Sequence, residues 1–121
     1  MAATAITNTV ITRNASTALP ATAAVTANEG ALVTYDKDDQ KIMLILENAS
    51  ATTTLTAVIS KGNGLQGVKD LEVTVGTSSK VVAVIESGAY KNVSGDNKGK
   101  VLIKDKVTTA TTLQVAAIVT P

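Results

Sequence analysis

The chain has 121 residues, 45% of them hydrophobic but only 2% aromatic, and its eleven basic and ten acidic side chains leave a net charge of +1. That length fits one domain around one core, and the near-neutral balance, with Tyr35 and Tyr90 as the only aromatics, excludes the basic patch and stacking rings that nucleic-acid binding requires. Cys and His are both absent, which excludes a disulfide scaffold, thiolate chemistry and the commonest general base, and no apolar run approaches the roughly 18 residues of a membrane span.

The N-terminus, MAATAITNTVITRNAS, has no basic start followed by an apolar block, so it does not read as a secretory signal, and the expectation is a product made in the cytoplasm. Residues 1–17 offer only Ile6, Val10 and Ile11 as large apolar groups and read as an arm or a marginal strand. Pro20 marks entry to a folded body over residues 18–121. Short strands are expected over 23–26 and 32–35, followed by a charged turn, DKDDQ (36–40). KIMLILEN (41–48) and KVVAVIES (80–87) are continuous apolar runs, the pattern of strands covered on both faces. TTTLTAVISK (52–61) and DLEVTV (70–75) alternate instead, placing Leu55, Ala57 and Ile59, and Leu71, Val73 and Val75, on inward faces. KVLIKD (100–105) and TTLQVAAIV (111–119) complete the set.

Turn chemistry separates these runs, at Asn63-Gly64, Gly76 to Ser79, Ser87-Gly88 and Ser94 to Asn97. Strands at a spacing of about 8–12 residues predict an all-β protein: a single compact β-sandwich, immunoglobulin-like or related, mostly antiparallel. Its expected core is Ile42, Leu44, Leu46, Leu55, Ile59, Leu71, Val73, Val75, Val84, Leu102 and Val115.

Four stretches could carry chemistry. KGNGLQG (61–67) is glycine-dense, but no Lys-Ser or Lys-Thr and no helix follows it, so it reads as a corner rather than a phosphate loop, with Asn63-Gly64 supplying positive φ. DKDDQ lacks the glycine, the distal glutamate and the flanking helices of a calcium loop and reads as a solvated turn; no metal or cofactor is expected. SGDNKGK (94–100) reads as a hairpin loop in preference to an anion nest. Asn14, Asn48 and Asn92 each precede a Ser or Thr at the glycosylation spacing, and all three read as turn residues.

LENASATTTLTAVISKGNGLQGVKDLEV (46–73), ESGAYKNVSGDNKGKVLI (86–103) and TLQVAAIV (112–119) together resemble small tailed-bacteriophage virion proteins of the head (capsid) decoration type. The resemblance spans residues 18–121. It rests most on GNGLQG-x-x-DL and on the block holding Ser87, Gly88, Tyr90, Lys91, Asn92 and Val93. The position before the aromatic is often basic in such proteins, and here it is Ala89. The resemblance implies a structural protein of the virion, not an enzyme. It would bind the outer surface of the capsid through contacts to the major capsid protein or to copies of itself. Leu65, Tyr90, Lys91 and Asn92 are the candidate contact residues, because an apolar loop tip and a rare aromatic are what interfaces anchor on. The competing structural reading has Leu65 and Tyr90 capping the two ends of the core. A neck or tail component, or an immunoglobulin-like extracellular adhesion module, is the alternative function.

Overall fold

A core without Phe or Trp must be filled by Val, Ile, Leu and Ala, and these line the facing surfaces of two sheets. The computed structural model of the protein describes residues 3–35, 42–63, 69–85, 87–95 and 97–120. The DKDDQ turn and the Leu65 loop tip lie outside the described residues. Among the described residues the strands are β1 (Thr4–Ile6), β2 (Asn8–Val10), β3 (Ala23–Ala24), β4 (Ala31–Thr34), β5 (Ile42–Asn48), β6 (Leu55–Ile59), β7 (Leu71–Val75), β8 (Lys80–Ala83), β9 (Lys100–Asp105) and β10 (Leu113–Val119). A single helical turn, α1 (Ser87–Tyr90), lies between β8 and β9.

One sheet runs β1-β4-β9-β6-β7 and the other β2-β10-β5-β8, with β3 also paired to β10. The pairs β1–β4 and β2–β10 are parallel and the remaining pairs antiparallel. The sheets pack face to face as a β-sandwich. Fully buried Ile42, Leu44, Leu46, Leu113, Val115 and Ala117 come from the second sheet, and they meet Ala31, Val33, Ala57, Ile59, Val75, Val101 and Ile103 from the first.

The N-terminal residues bridge the layers. β1 lies at the edge of the first sheet and β2, after the single residue Thr7, at the edge of the second. The Asn8 side-chain amide donates to the Thr34 carbonyl at 3.0 Å, and the Thr4 hydroxyl donates to Ala24 O at 2.9 Å. These bonds cross between the layers along one side of the sandwich.

Two expected core positions are corrected. Leu102 is only half-buried, while Val101 and Ile103 are fully buried. KVLIKD has three consecutive apolar residues, so its own pattern leaves the parity open. Pairing decides it: Val101 lies opposite Val33 and Ile103 opposite Ala31, both inward. The other parity would turn Lys100 and Lys104 toward the core, where burying an unpaired ammonium is strongly unfavourable. Val84 is 55% exposed, and its neighbour Ile85 is buried instead. KVVAVIES is not covered on both faces, because β8 ends at Ala83 and is an edge strand paired only with β5, which leaves Val82 63% exposed. The strand buried on both faces is β10, where Ala116 and Ile118 are buried along with the inward set.

Leu44→Ala should destabilise the fold by about 2–4 kcal/mol, the range for a large-to-small change at a fully buried site. Val82→Ala, at an exposed edge, should stay within about 0.5 kcal/mol of the parent. Urea titration followed by far-ultraviolet circular dichroism separates the two.

Candidate functional site: two loops docked at one end of the sandwich

Chain reversals leave β6 at Ile59 and β8 at Ala83 on the same end of the sandwich, and the two loops that start there touch. The backbone N–H of Gly62 donates to the Ala89 carbonyl in α1 at 2.8 Å. A Cβ on Gly62 would fall onto the Lys91 carbonyl oxygen and 2.9 Å from the Tyr90 carbonyl carbon. Only a residue without a side chain fits between these backbones. This is one of the glycines of KGNGLQG, and here it serves close approach rather than an anion.

Asn63 locks the contact. Its Nδ2 donates to Ser94 O at 3.1 Å, and its Oδ1 accepts from the Val93 N–H at 2.7 Å. Of the Asn63-Gly64 pair expected to supply positive φ, Gly64 lies outside the described residues and Asn63 does not take that conformation: among the described residues the non-glycine positions at positive φ are Asn14, Asn28 and Ser78. Asn63 acts through its side-chain amide, which satisfies two backbone groups that no strand reaches. At the base of the same loop Asp70 Oδ1 accepts from the Lys61 N–H at 2.7 Å.

The second loop returns to β9 through Asn92. Its N–H and Nδ2 donate to Lys100 O at 3.0 and 3.2 Å, and its carbonyl accepts from the Gly99 N–H at 2.7 Å. Gly95 and Gly99 take φ of 83° and 78°, the left-handed region a tight return needs. The N–H groups of Lys98, Gly99 and Lys100 are all used by backbone carbonyls within this return. The expected hairpin loop is corrected: β8 and β9 lie in different sheets, so the segment joins α1 to β9 rather than two paired strands.

Of the candidate contact residues, Tyr90, Lys91 and Asn92 therefore share one surface. Tyr90 is half-buried and packs against the core, Lys91 is half-buried with its carbonyl against Gly62, and Asn92 is engaged in the return. Leu65 lies outside the described residues. Val93, 54% exposed beside the Asn63 clamp, is the described large apolar group that this surface presents outward. Sequence reasoning passed over Val93 and the clamp. The signal was present, since both sit inside the two quoted blocks, but nothing in either block says that it meets the other. The surface offers shape, one apolar side chain and a lysine.

A concavity of about 370 Å³ opens at the opposite end, between the β5–β6 and β9–β10 connections. The two buried polar residues among the described positions, Asn48 and Asp105, close the core beneath it. Asn48 is fully engaged: it donates to Thr53 O at 2.8 Å and Val75 O at 3.3 Å and accepts from Ser50 N at 2.9 Å. Its role as a turn residue is thus accompanied by burial. Among the described residues no group of three or more acidic, His or Cys side chains is placed to hold a metal ion.

Comparison of the chain with protein families, with curated proteins and with solved structures found no match.

Asn63→Ala should lower stability by about 1–2 kcal/mol, two partly exposed hydrogen bonds lost, and Gly62→Ala by more, because the backbone itself must move. Thermal melts and amide exchange at residues 89–94 check this, and both variants should loosen that segment before β5 or β10.

Proposed function

We propose that this chain is a structural protein of a tailed-bacteriophage virion, binding the outer surface of the assembled capsid as decoration, shell reinforcement or display. Its partner is the major capsid protein, with neighbouring copies of itself as a second contact. The observation that supports this reading is the docking of the two blocks that carry the resemblance. Residues about thirty positions apart, Asn63 with Val93 and Ser94, are joined into one surface by hydrogen bonds that only this pairing explains. A rigid scaffold holding a loop surface suits a protein whose work is contact. On a shell that repeats its partner many times, weak contacts of this kind add through avidity wherever geometry allows simultaneous engagement. No cofactor, metal or nucleic acid enters the reading.

The test is binding of the purified protein to capsids that lack it. Saturable, stoichiometric binding to tail-less heads, with none to tails or free DNA, is expected. Equal binding to tails, or none to any capsid form, overturns the proposal. Val93→Ser and Lys91→Ala should weaken binding without lowering Tm. Tyr90→Ser and Leu65→Ser separate interface from core: lost affinity at unchanged Tm places the residue in the contact, and lost stability with binding retained in the folded fraction places it in the core.

A further inference from the structure

We propose that the N-terminal arm, residues 3–11, exchanges between copies of this chain, docking across the β4 and β10 edges of a neighbouring molecule as it docks across its own. The inference goes beyond the capsid reading and is tested without a capsid. The arm is lightly held. Its two ladders are three residues each, Thr4–Ile6 against Ala31–Val33 and Asn8–Val10 against Ala117–Val119. Of its side chains only Ile6, 8% exposed, belongs to the core cluster. Thr4 adds hydrogen bonds to Ala24 O and the Thr26 hydroxyl, Asn8 one to Thr34 O, and the Ile11 N–H one to Val119 O at 2.9 Å. Asn8 Oδ1 is buried with no partner among the described residues. A buried acceptor left unpaired disfavours the docked arm and makes its release easier.

The tether behind the arm is longer than its own docking requires. Ile11 sits beside Val119, and Ala23 beside Val115 on the same strand. Those two places on β10 are about 13 Å apart at the rise of an extended strand. The stretch from Ile11 to Ala23 can reach about 40 Å when extended, more than the roughly 30 Å width of a small domain. Residues 12–19 are all exposed, Leu19 by 83%. The chain is pinned again at Thr22, whose hydroxyl meets the Glu47 and Gln114 side-chain oxygens. A connection of a few residues would close the same distance, so reaching its own dock does not need this slack. A second copy is the partner whose fit the fold already displays, because the β4 and β10 edges of every copy match the arm. Exchange keeps each contact and changes only which molecule supplies it. Concentration therefore decides, with a crossover near the effective concentration of a flexibly tethered arm, about 1 mM.

The chain has no Cys, so an engineered disulfide can report where the arm sits. Exposed Ala5 lies opposite half-buried Leu32 in the β1–β4 ladder. Neighbouring strands about 4.8 Å apart suit the Cα separation that a disulfide spans. Full-length Ala5→Cys and Leu32→Cys chains are mixed at about 1 mM and oxidised slowly. Ala5→Cys mixed with Val82→Cys, two exposed positions that exchange does not bring together, gives the collisional background. The Ala5–Leu32 heterodimer is expected severalfold above that background, falling to it at about 10 μM. Ile6→Ala in both chains loosens the dock and should speed heterodimer formation severalfold, whereas a collisional bridge is indifferent to it. In the purified heterodimer the β1 and β2 amides should exchange with solvent as slowly as in the parent, each arm being seated on its new host. A heterodimer yield at background, a rate unmoved by Ile6→Ala, or unprotected β1 and β2 amides in the heterodimer overturns the proposal.

Discussion

The antiparallel ladder between β5 and β10 is the constraint on which the other pairings hang. It runs seven residues on each strand, from Leu113 opposite Asn48 to Val119 opposite Ile42. β8 attaches to the free side of β5, while β2 and β3 share the free side of β10. A side-chain period of two means that this register sets which face of each strand is inward, and a slip of β5 by one residue against β10 would turn Ile42, Leu44 and Leu46 outward together. Tyr35 is the one fully buried aromatic among the described residues, so the rest of the core depends on aliphatic side chains meeting in register. That places a premium on one well-specified pair at its centre.

The two ends of the sandwich then solve the same problem differently. At each end the strands stop and backbone groups need partners. At one end Asn48 and Asp105 do this from inside, each with a side-chain oxygen accepting the backbone N–H two residues on. At the other end two loops satisfy each other, with Gly62 giving the clearance and Asn63 the bonds. The first solution leaves a polar cleft. The second leaves a continuous surface built from segments distant in sequence. The functional proposal follows from that asymmetry, since a shaped surface held by a rigid scaffold suits a broad contact.

The edges carry a further consequence. β8 exposes Val82 on the outer side of the second sheet, and its unpaired backbone edge is only four residues long. Short edge strands limit pairing between copies. The N-terminal residues protect the other side, because β1 and β2 cover the edge of one sheet and then of the other within seven residues.

Composition and alternation by themselves determined that this chain is all-β and that Leu55, Ala57 and Ile59 share a buried face. In β7, Glu72 and Thr74 between the apolar residues leave one parity that keeps charge in water, and in β6 the position of Thr56 between Leu55 and Ala57 marks the outward face. KVLIKD and KVVAVIES were not legible in the same way. Where three apolar residues stand in a row, either face could be buried, and only the neighbour across the ladder chooses: Val33 and Ala31 turned Val101 and Ile103 inward and Leu102 aside. The site divides likewise. Its residues stand in two blocks whose glycines and asparagines announce turns, because turn chemistry is local. That Gly62 meets Lys91 and that Asn63 clamps Val93 and Ser94 are facts about segments brought together by the sheets. No local pattern encodes them, since the partner lies dozens of residues away and is placed only when the strands between have paired.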